Sequence, residues 1–403
     1  MQKYTNWLNY GYFRKKFTVK HFSSKFAVEK SISSLDKPDM GIKIIIDKNI
    51  PYIKGALDRK AEVEYLTYKE MTPDAVRDAD ALIIRTRTKC NHDLLDGSRV
   101  KIIATATIGY DHIDTKYCNE NGIKWVNAPG CNALSVTQYM ASVLIHLAEK
   151  NNFDLSSKTL GIVGVGNVGS RVAKLAEGFG MQVLLNDPPR ARVEGSHQFV
   201  SLKEIAENAD IIAFHPFLNF EGIDKTFHLA DDDFFSLLAR KPIIINASRG
   251  EVVETSALKK AIKNGLISDV VLDCWENEPN IDLELLEKVV ISTPHIAGYS
   301  ADGKANATTQ SVQSVSRFFN LGSDNWEPNA LPDGLKGDFS VLSFTEFFKK
   351  TYNILSDSDL LKSSPETFEQ QRSNYPVRRE PKAYKGNLPE GFEEKFGVFF
   401  LNP

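Results

Sequence analysis

The chain has 403 residues, a formal net charge of −3 and 25% charged side chains. That length predicts two or three domains, each able to bury its own core. The near-neutral balance gives no reason to expect nucleic acid or a membrane as partner, and with no apolar run near the ~18 residues of a membrane span, a soluble protein is expected.

Residues 1–39 are rich in Lys and aromatics, as in Phe13-Arg14-Lys15-Lys16-Phe17, but lack the continuous apolar stretch of a secretory signal. Met40 lies just before the first strand-like run, so the leader is expected to be a loose N-terminal extension. Strand-like runs follow at 42–46, 81–84 and 102–104, and Arg85-Thr86-Arg87-Thr88 comes directly after the second of them. A helical stretch at 133–150 then leads to runs at 160–163, 182–185, 211–214, 243–246, 270–272 and 289–292. Apolar strands alternating with helices predict an α/β fold of two doubly wound, parallel-sheet (Rossmann-like) domains, whose ligands bind at the carboxyl ends of the strands in the cleft between them. The expected division is 40–134, completed by about 300–325, for the substrate domain and 135–299 for the nucleotide domain, with 326–403 forming a separate C-terminal piece. In that piece 344–355 has helical spacing and 372–385 is rich in charge and Pro. Cys90, Cys118, Cys131 and Cys274 form no CxxC pair, which predicts reduced thiols in a cytoplasmic setting and no structural metal.

Gly164-Val165-Gly166-Asn167-Val168-Gly169 lies between the strand at 160–163 and a helical stretch at 170–179. Glycines there let the backbone turn tightly and approach a pyrophosphate at a helix N-terminus. Asp187 closes the next strand, where a carboxylate would accept from ribose hydroxyls and repel a 2′-phosphate. Together they predict a dinucleotide site that favours NAD over NADP.

Beyond the fingerprint, Arg249, Glu278 and His295 follow successive strands. A planar guanidinium can clamp a carboxylate bidentately. A carboxylate on one imidazole nitrogen fixes the tautomer and leaves the other nitrogen as a base for a hydroxyl proton. Taken singly, each has a plainer reading as a cap, a solvated turn or an ordinary histidine; their joint order is what points to chemistry.

In that order, the motifs resemble the D-2-hydroxyacid dehydrogenase family over about residues 40–310, including Ala104-Thr105-Ala106-Thr107-Ile108-Gly109-Tyr110-Asp111-His112-Ile113-Asp114 and Asn127-Ala128-Pro129-Gly130-Cys131-Asn132. The resemblance implies oxidation of a 2-hydroxy acid, with His295 as base, Glu278 as its partner and Arg249 on the substrate carboxylate. It implies substrate contacts from Thr86, Thr107 and Tyr299, with Arg85 and Arg87 as candidates for a substrate phosphate. For the cofactor it adds Ala247, Ser248, Asp273 and Gly298 to Gly164, Gly166, Asn167, Val168, Gly169 and Asp187. One departure is His215-Pro216-Phe217, where relatives tend to carry His-Thr-Pro or His-Val-Pro, so Pro216 is not expected to supply the usual side-chain contact. Asp187-Pro188-Pro189-Arg190, His295-Ile296-Ala297-Gly298-Tyr299 and the tail after Leu331 resemble a subgroup that acts on a phosphorylated 2-hydroxy acid. That subgroup ends in a small α+β dimerisation domain, which implies a homodimer. Two other readings stand beside this one: the same chemistry on 3-phosphoglycerate, and a non-enzymatic NAD(H) sensor on the same fold.

Overall fold

The computed structural model describes residues 41–401; the expectation for 1–39 lies outside them. The first sheet contains β1 (Lys43–Asp47), β2 (Glu62–Leu66), β3 (Ala81–Ile84), β4 (Ile102–Thr105) and β5 (Lys124–Val126), all parallel, in the order β2-β1-β3-β4-β5. The second contains β6 (Thr159–Val163), β7 (Gln182–Asn186), β8 (Ile211–Phe214), β9 (Ile243–Asn246), β10 (Val270–Leu272) and β11 (Ile291–Ser292), parallel in the order β11-β10-β9-β8-β6-β7.

The inner strands β3, β4, β8 and β9 are buried along their whole length, which is why they read as continuous β-branched runs. The strand signals above omit β2 and β5, and both are edge strands. Their sequences, EVEYL and KWV, are only partly buried, so charge interrupts the apolar pattern. Chain direction across the sheet reverses between β1 and β3 and between β6 and β8, the two places where an open α/β sheet leaves a crevice at its strand ends.

Helix α1 (Ala133–Asn151) is buried along most of its length and is stopped by Asn152 in the left-handed region, φ 51°. It is followed by α2 (Asn167–Gly178) and α3 (Pro188–Glu194) in the second sheet domain. Helix α4 (Ala301–Phe319) begins at Ser300, whose side chain accepts from the Gly303 N–H at 2.8 Å. Val312 and Val315 of α4 pack with Ile44, Ile46, Ala81 and Ile83, so the chain returns to the first sheet after building the second.

The tail corrects an expectation. Instead of an α+β unit, its described residues form helices and 3₁₀ turns with no strand, including α5 (Phe344–Thr351), α6 (Ile354–Ser363) and α7 (Phe368–Ser373). The helical spacing over 344–355 is divided at Tyr352, where the backbone is extended and the sequence Thr351-Tyr352-Asn353 favours helix poorly. Its phenylalanines recur at helical rather than alternating spacing: Phe347 and Phe348 join Phe339, Phe392, Phe396 and Phe399 in one cluster with Tyr139 and Leu144 of α1. The Phe347 and Phe392 rings are 4.9 Å apart. The tail thus extends the core of the second sheet domain.

Polar residues fasten this packing. Arg379 forks onto Asp302 at 2.9 and 3.0 Å, and the buried Glu380 accepts from the hydroxyls of Ser135 and Ser300 at 2.8 Å each. Burial, helped by the Asp302 charge, pushes the Glu380 carboxyl up to about 7. An acid raised in this way contributes stability that is complete below its unfolded pKa and is lost as pH rises through the folded value. Between pH 5 and 8 this group alone is expected to cost about 3 kcal/mol. Denaturant titrations at both pH values should show that loss in the native chain and a flatter dependence in Glu380→Gln; equal slopes would refute the assignment.

Candidate active site

At the second switch point each fingerprint glycine has its own reason. Gly164 has φ +86°, and a Cβ there would lie 2.5 Å from the Pro216 nitrogen. A Cβ on Gly169 would lie 2.0 Å from the Gly164 carbonyl oxygen, whereas Gly166 has nothing within 4 Å. The backbone is therefore close-packed behind and open in front, with Asn167 and Val168 opening α2 and no side chain capping its first N–H groups. Asp187 sits above this loop, accepting from the Val165 N–H at 2.8 Å and the Arg190 N–H at 3.0 Å. Arg190 is itself forked onto Glu194 at 2.7 Å. Pro216 contributes backbone packing against Gly164, and its half-buried neighbour His215 has both ring nitrogens inaccessible and without a hydrogen bond among the described residues. Burial pulls His215 down to about 4, leaving a neutral polar ring beside the loop. An open glycine cradle with an acid at the end of β7 and an unsatisfied imidazole beside it fits a dinucleotide.

The loops after β9, β10 and β11 carry Arg249, Glu278 and His295. Asn246, the last residue of β9, accepts from the Ser248 hydroxyl at 2.9 Å and donates to the Arg249 carbonyl at 2.8 Å, which shapes the Ala247-Ser248-Arg249 turn. A Cβ on Gly250 would lie 2.0 Å from the Trp275 carbonyl carbon, so only glycine lets the Arg249 loop lie on the loop bearing Glu278. After β10, Asp273 is buried and its carboxylate accepts from Thr293, Ile296 N–H and Ala297 N–H at 2.7, 2.8 and 3.0 Å. Its carbonyl also accepts from the His295 N–H at 2.7 Å. Asp273 therefore holds the histidine loop from beneath.

His295 Nδ1 and Glu278 Oε1 are 2.5 Å apart, with the two side chains 26% and 25% exposed. Burial raises the Glu278 pKa. The charge and hydrogen bond of His295, with the Arg372 charge and the Trp275 N–H, outweigh burial and hold the carboxyl below the usual range. A carboxylate only accepts, so the proton lies on Nδ1 and the Nε2 lone pair is free. Glu276, in the same short string, instead bonds His228 at 2.7 Å and the Thr255 N–H at 2.7 Å.

From the first sheet, Thr86 lies exposed after β3 and Thr107 follows β4, donating to the Gly109 carbonyl at 2.9 Å. The β4 loop meets the β9 loop: Arg249 Nη2 is 3.8 Å from Asp111 and 2.5 Å from where a Gly109 Cβ would stand. Both candidate phosphate arginines already face carboxylates, Arg85 on Asp47 at 3.1 Å and Arg87 on Glu369 at 2.7 Å. Gly298 is packed against Asn132, and next to it the Tyr299 ring has Lys304 Nζ 4.9 Å and the Arg372 guanidinium 5.9 Å from its centre.

Sequence reading missed the tail's share in this site. Arg378 is buried and donates to the Ala297 carbonyl at 2.6 Å, two residues from His295. The only sequence signal was the charge of the 372–385 stretch. Among the described residues no cluster of His, Cys, Asp and Glu could hold a metal ion, and no helix is long and apolar enough to cross a membrane.

Residues 137–297 match the family model described as D-isomer specific 2-hydroxyacid dehydrogenase, NAD binding domain. The chain is 58% identical over 346 residues to an erythronate-4-phosphate dehydrogenase of Bacteroides thetaiotaomicron, covering 85% of this chain and 98% of that protein. It is 40% identical to one from Proteus mirabilis, covering 84% and 93%. Among solved structures, it resembles D-lactate dehydrogenase from Aquifex aeolicus complexed with NAD and lactic acid, with 26% identity, a TM-score of 0.59 and coverage of 72% of this chain and 100% of that one. NAD-bound 3-phosphoglycerate dehydrogenase of Entamoeba histolytica gives 25% identity and a TM-score of 0.60, with the same coverage.

Proposed function

Since the chain belongs to the erythronate-4-phosphate dehydrogenases, within the D-isomer-specific 2-hydroxyacid dehydrogenase family, we propose that its cleft oxidises the C2 hydroxyl of 4-phospho-D-erythronate to the 2-oxo acid, a step toward pyridoxal 5′-phosphate. The chain is an NAD-dependent oxidoreductase. Gly164, Gly166, Asn167, Val168 and Gly169 would hold the pyrophosphate of NAD, Asp187 its ribose, and Ala247, Ser248, Asp273 and Gly298 its nicotinamide end. When bound, NAD supplies the hydride acceptor.

The observation that carries the reading is the 2.5 Å pair of His295 and Glu278. Glu278 fixes the proton on Nδ1, so Nε2 takes the C2 hydroxyl proton, and the ionised carboxylate stabilises the imidazolium that results. Arg249 holds the substrate carboxylate and steadies the charge that shifts as the carbonyl forms. Thr86, Thr107 and Tyr299 position the rest of the acid.

Homodimerisation through the tail in a cytoplasmic setting belongs to the same proposal. Leu335, Val341, Leu360 and Val377 of the tail are exposed and available to such an interface.

The test is initial-rate NAD reduction with 4-phospho-D-erythronate, 3-phosphoglycerate and unphosphorylated D-erythronate, with a 2-oxo acid added to reoxidise any NADH that stays bound. Selective turnover of phosphoerythronate is expected. Turnover of 3-phosphoglycerate alone would move the chain to the sister reaction, and no turnover of any acid would favour a sensor.

A further inference from the structure

We propose that Lys304, on the first turn of α4, is the ligand for the substrate's phosphate. The assignment rests on the dehydrogenase reading above and names which residue makes the site selective for a phosphorylated acid.

Lys304 is half-buried, and its ammonium has no hydrogen bond or ion pair among the described residues; it lies 4.9 Å from the centre of the Tyr299 ring. Burial first, then the charges of Arg378 and Arg85, press its pKa below the ordinary lysine value. A cation that is desolvated and surrounded by other cations is unfavourable unless an anion is meant to join it.

The cations of the substrate loop and of the tail differ in how well they are already neutralised. Arg85 is paired with the buried Asp47, and Arg87 with Glu369. Arg372 is paired with Glu369 through Nη1 at 2.7 Å, but its Nε is buried without a partner among the described residues, and its guanidinium stands 5.9 Å from the Tyr299 ring centre. Lys304 and Arg372 each lie over the ring of Tyr299, four residues beyond His295 in the chain.

Arg249 is the proposed ligand of the substrate carboxylate, so the Lys304 ammonium fits the other charged end of the molecule. A phosphomonoester dianion gives this ammonium a stronger charge-assisted partner than a singly charged group would. Its docking would also relieve the penalty that Lys304 now bears.

Lys304→Met is expected to lower kcat/KM for 4-phospho-D-erythronate by about 10- to 100-fold, chiefly through KM, while D-erythronate turnover stays unchanged and Lys304→Arg retains selectivity. An equal fall for both acids would mean a structural role, and no fall for either would remove Lys304 from recognition. Calorimetry with inorganic phosphate gives an independent readout, with binding expected in the native chain and at least tenfold weaker binding in Lys304→Met. If the native chain oxidises neither acid, the dehydrogenase reading fails. Phosphate binding still decides the lysine, because equal affinity in the native chain and in Lys304→Met overturns the assignment and a loss upholds it.

Discussion

Replacing His295 with asparagine is expected to lower kcat by about 10²- to 10⁴-fold while NAD affinity stays near its native value, because the change removes the base and little else. The backbone at 295 has φ 55°, a left-handed conformation that asparagine adopts more readily than alanine, so the loop should keep its path. Asp273 anchors that path independently of the imidazole, through the N–H groups of His295, Ile296 and Ala297. Glu278→Gln keeps a partner of similar shape on Nδ1 but removes the charge that steadies the imidazolium, and is expected to cost less than loss of the ring. The double variant should be no slower than His295→Asn, since a carboxylate acting only through the histidine has nothing left to act on. Single-turnover rates, which are insensitive to slow NADH release, are the measurement to make. An asparagine variant as fast as the native chain would take His295 out of the reaction, and additive losses would give Glu278 a role of its own.

How much of this site can be read from sequence depends on whether its contacts are local. The glycine fingerprint is local: the reasons for Gly164 and Gly169 lie within a few residues or at the adjacent switch-point strand, so spacing alone reveals them. Central strands are equally legible because both faces are buried, whereas β2 and β5 at the edges keep charged residues and give no apolar run. The choice between Glu276 and Glu278 is not local. Both lie in Trp275-Glu276-Asn277-Glu278-Pro279, and only folding shows that the first faces His228 and the second His295. The tail's contribution is the least legible, because contacts such as Arg87 with Glu369 join positions 282 residues apart. A charged, proline-containing stretch like 372–385 has the composition of a solvated loop, yet Arg378 and Glu380 are buried beneath the histidine loop and α4. Composition reports what a side chain is, not which distant carbonyl it satisfies.

Arg249→Lys is expected to reduce kcat/KM for the hydroxy acid by about 10²- to 10³-fold, although the positive charge is kept. The guanidinium is held from both sides of the cleft: Nη1 donates to the Ser248 carbonyl at 2.9 Å, while Nη2 faces Asp111 at 3.8 Å beside Gly109. In the proposed role the planar fork would meet the substrate carboxylate bidentately. A lysine ammonium would satisfy one oxygen at a time and could not span the same neighbours. Gly109→Ala tests the geometry without touching the charge, since its new methyl would stand 2.5 Å from Nη2. Because the obstructed atom is the far end of a flexible side chain, the fold should absorb the change by moving Arg249, which costs substrate binding more than stability. Both variants should therefore raise KM for the acid and leave NAD affinity and thermal stability close to native. If Gly109→Ala were silent and Arg249→Lys retained full activity, Arg249 would be only a charge bracing the cleft, and the substrate carboxylate would need another ligand.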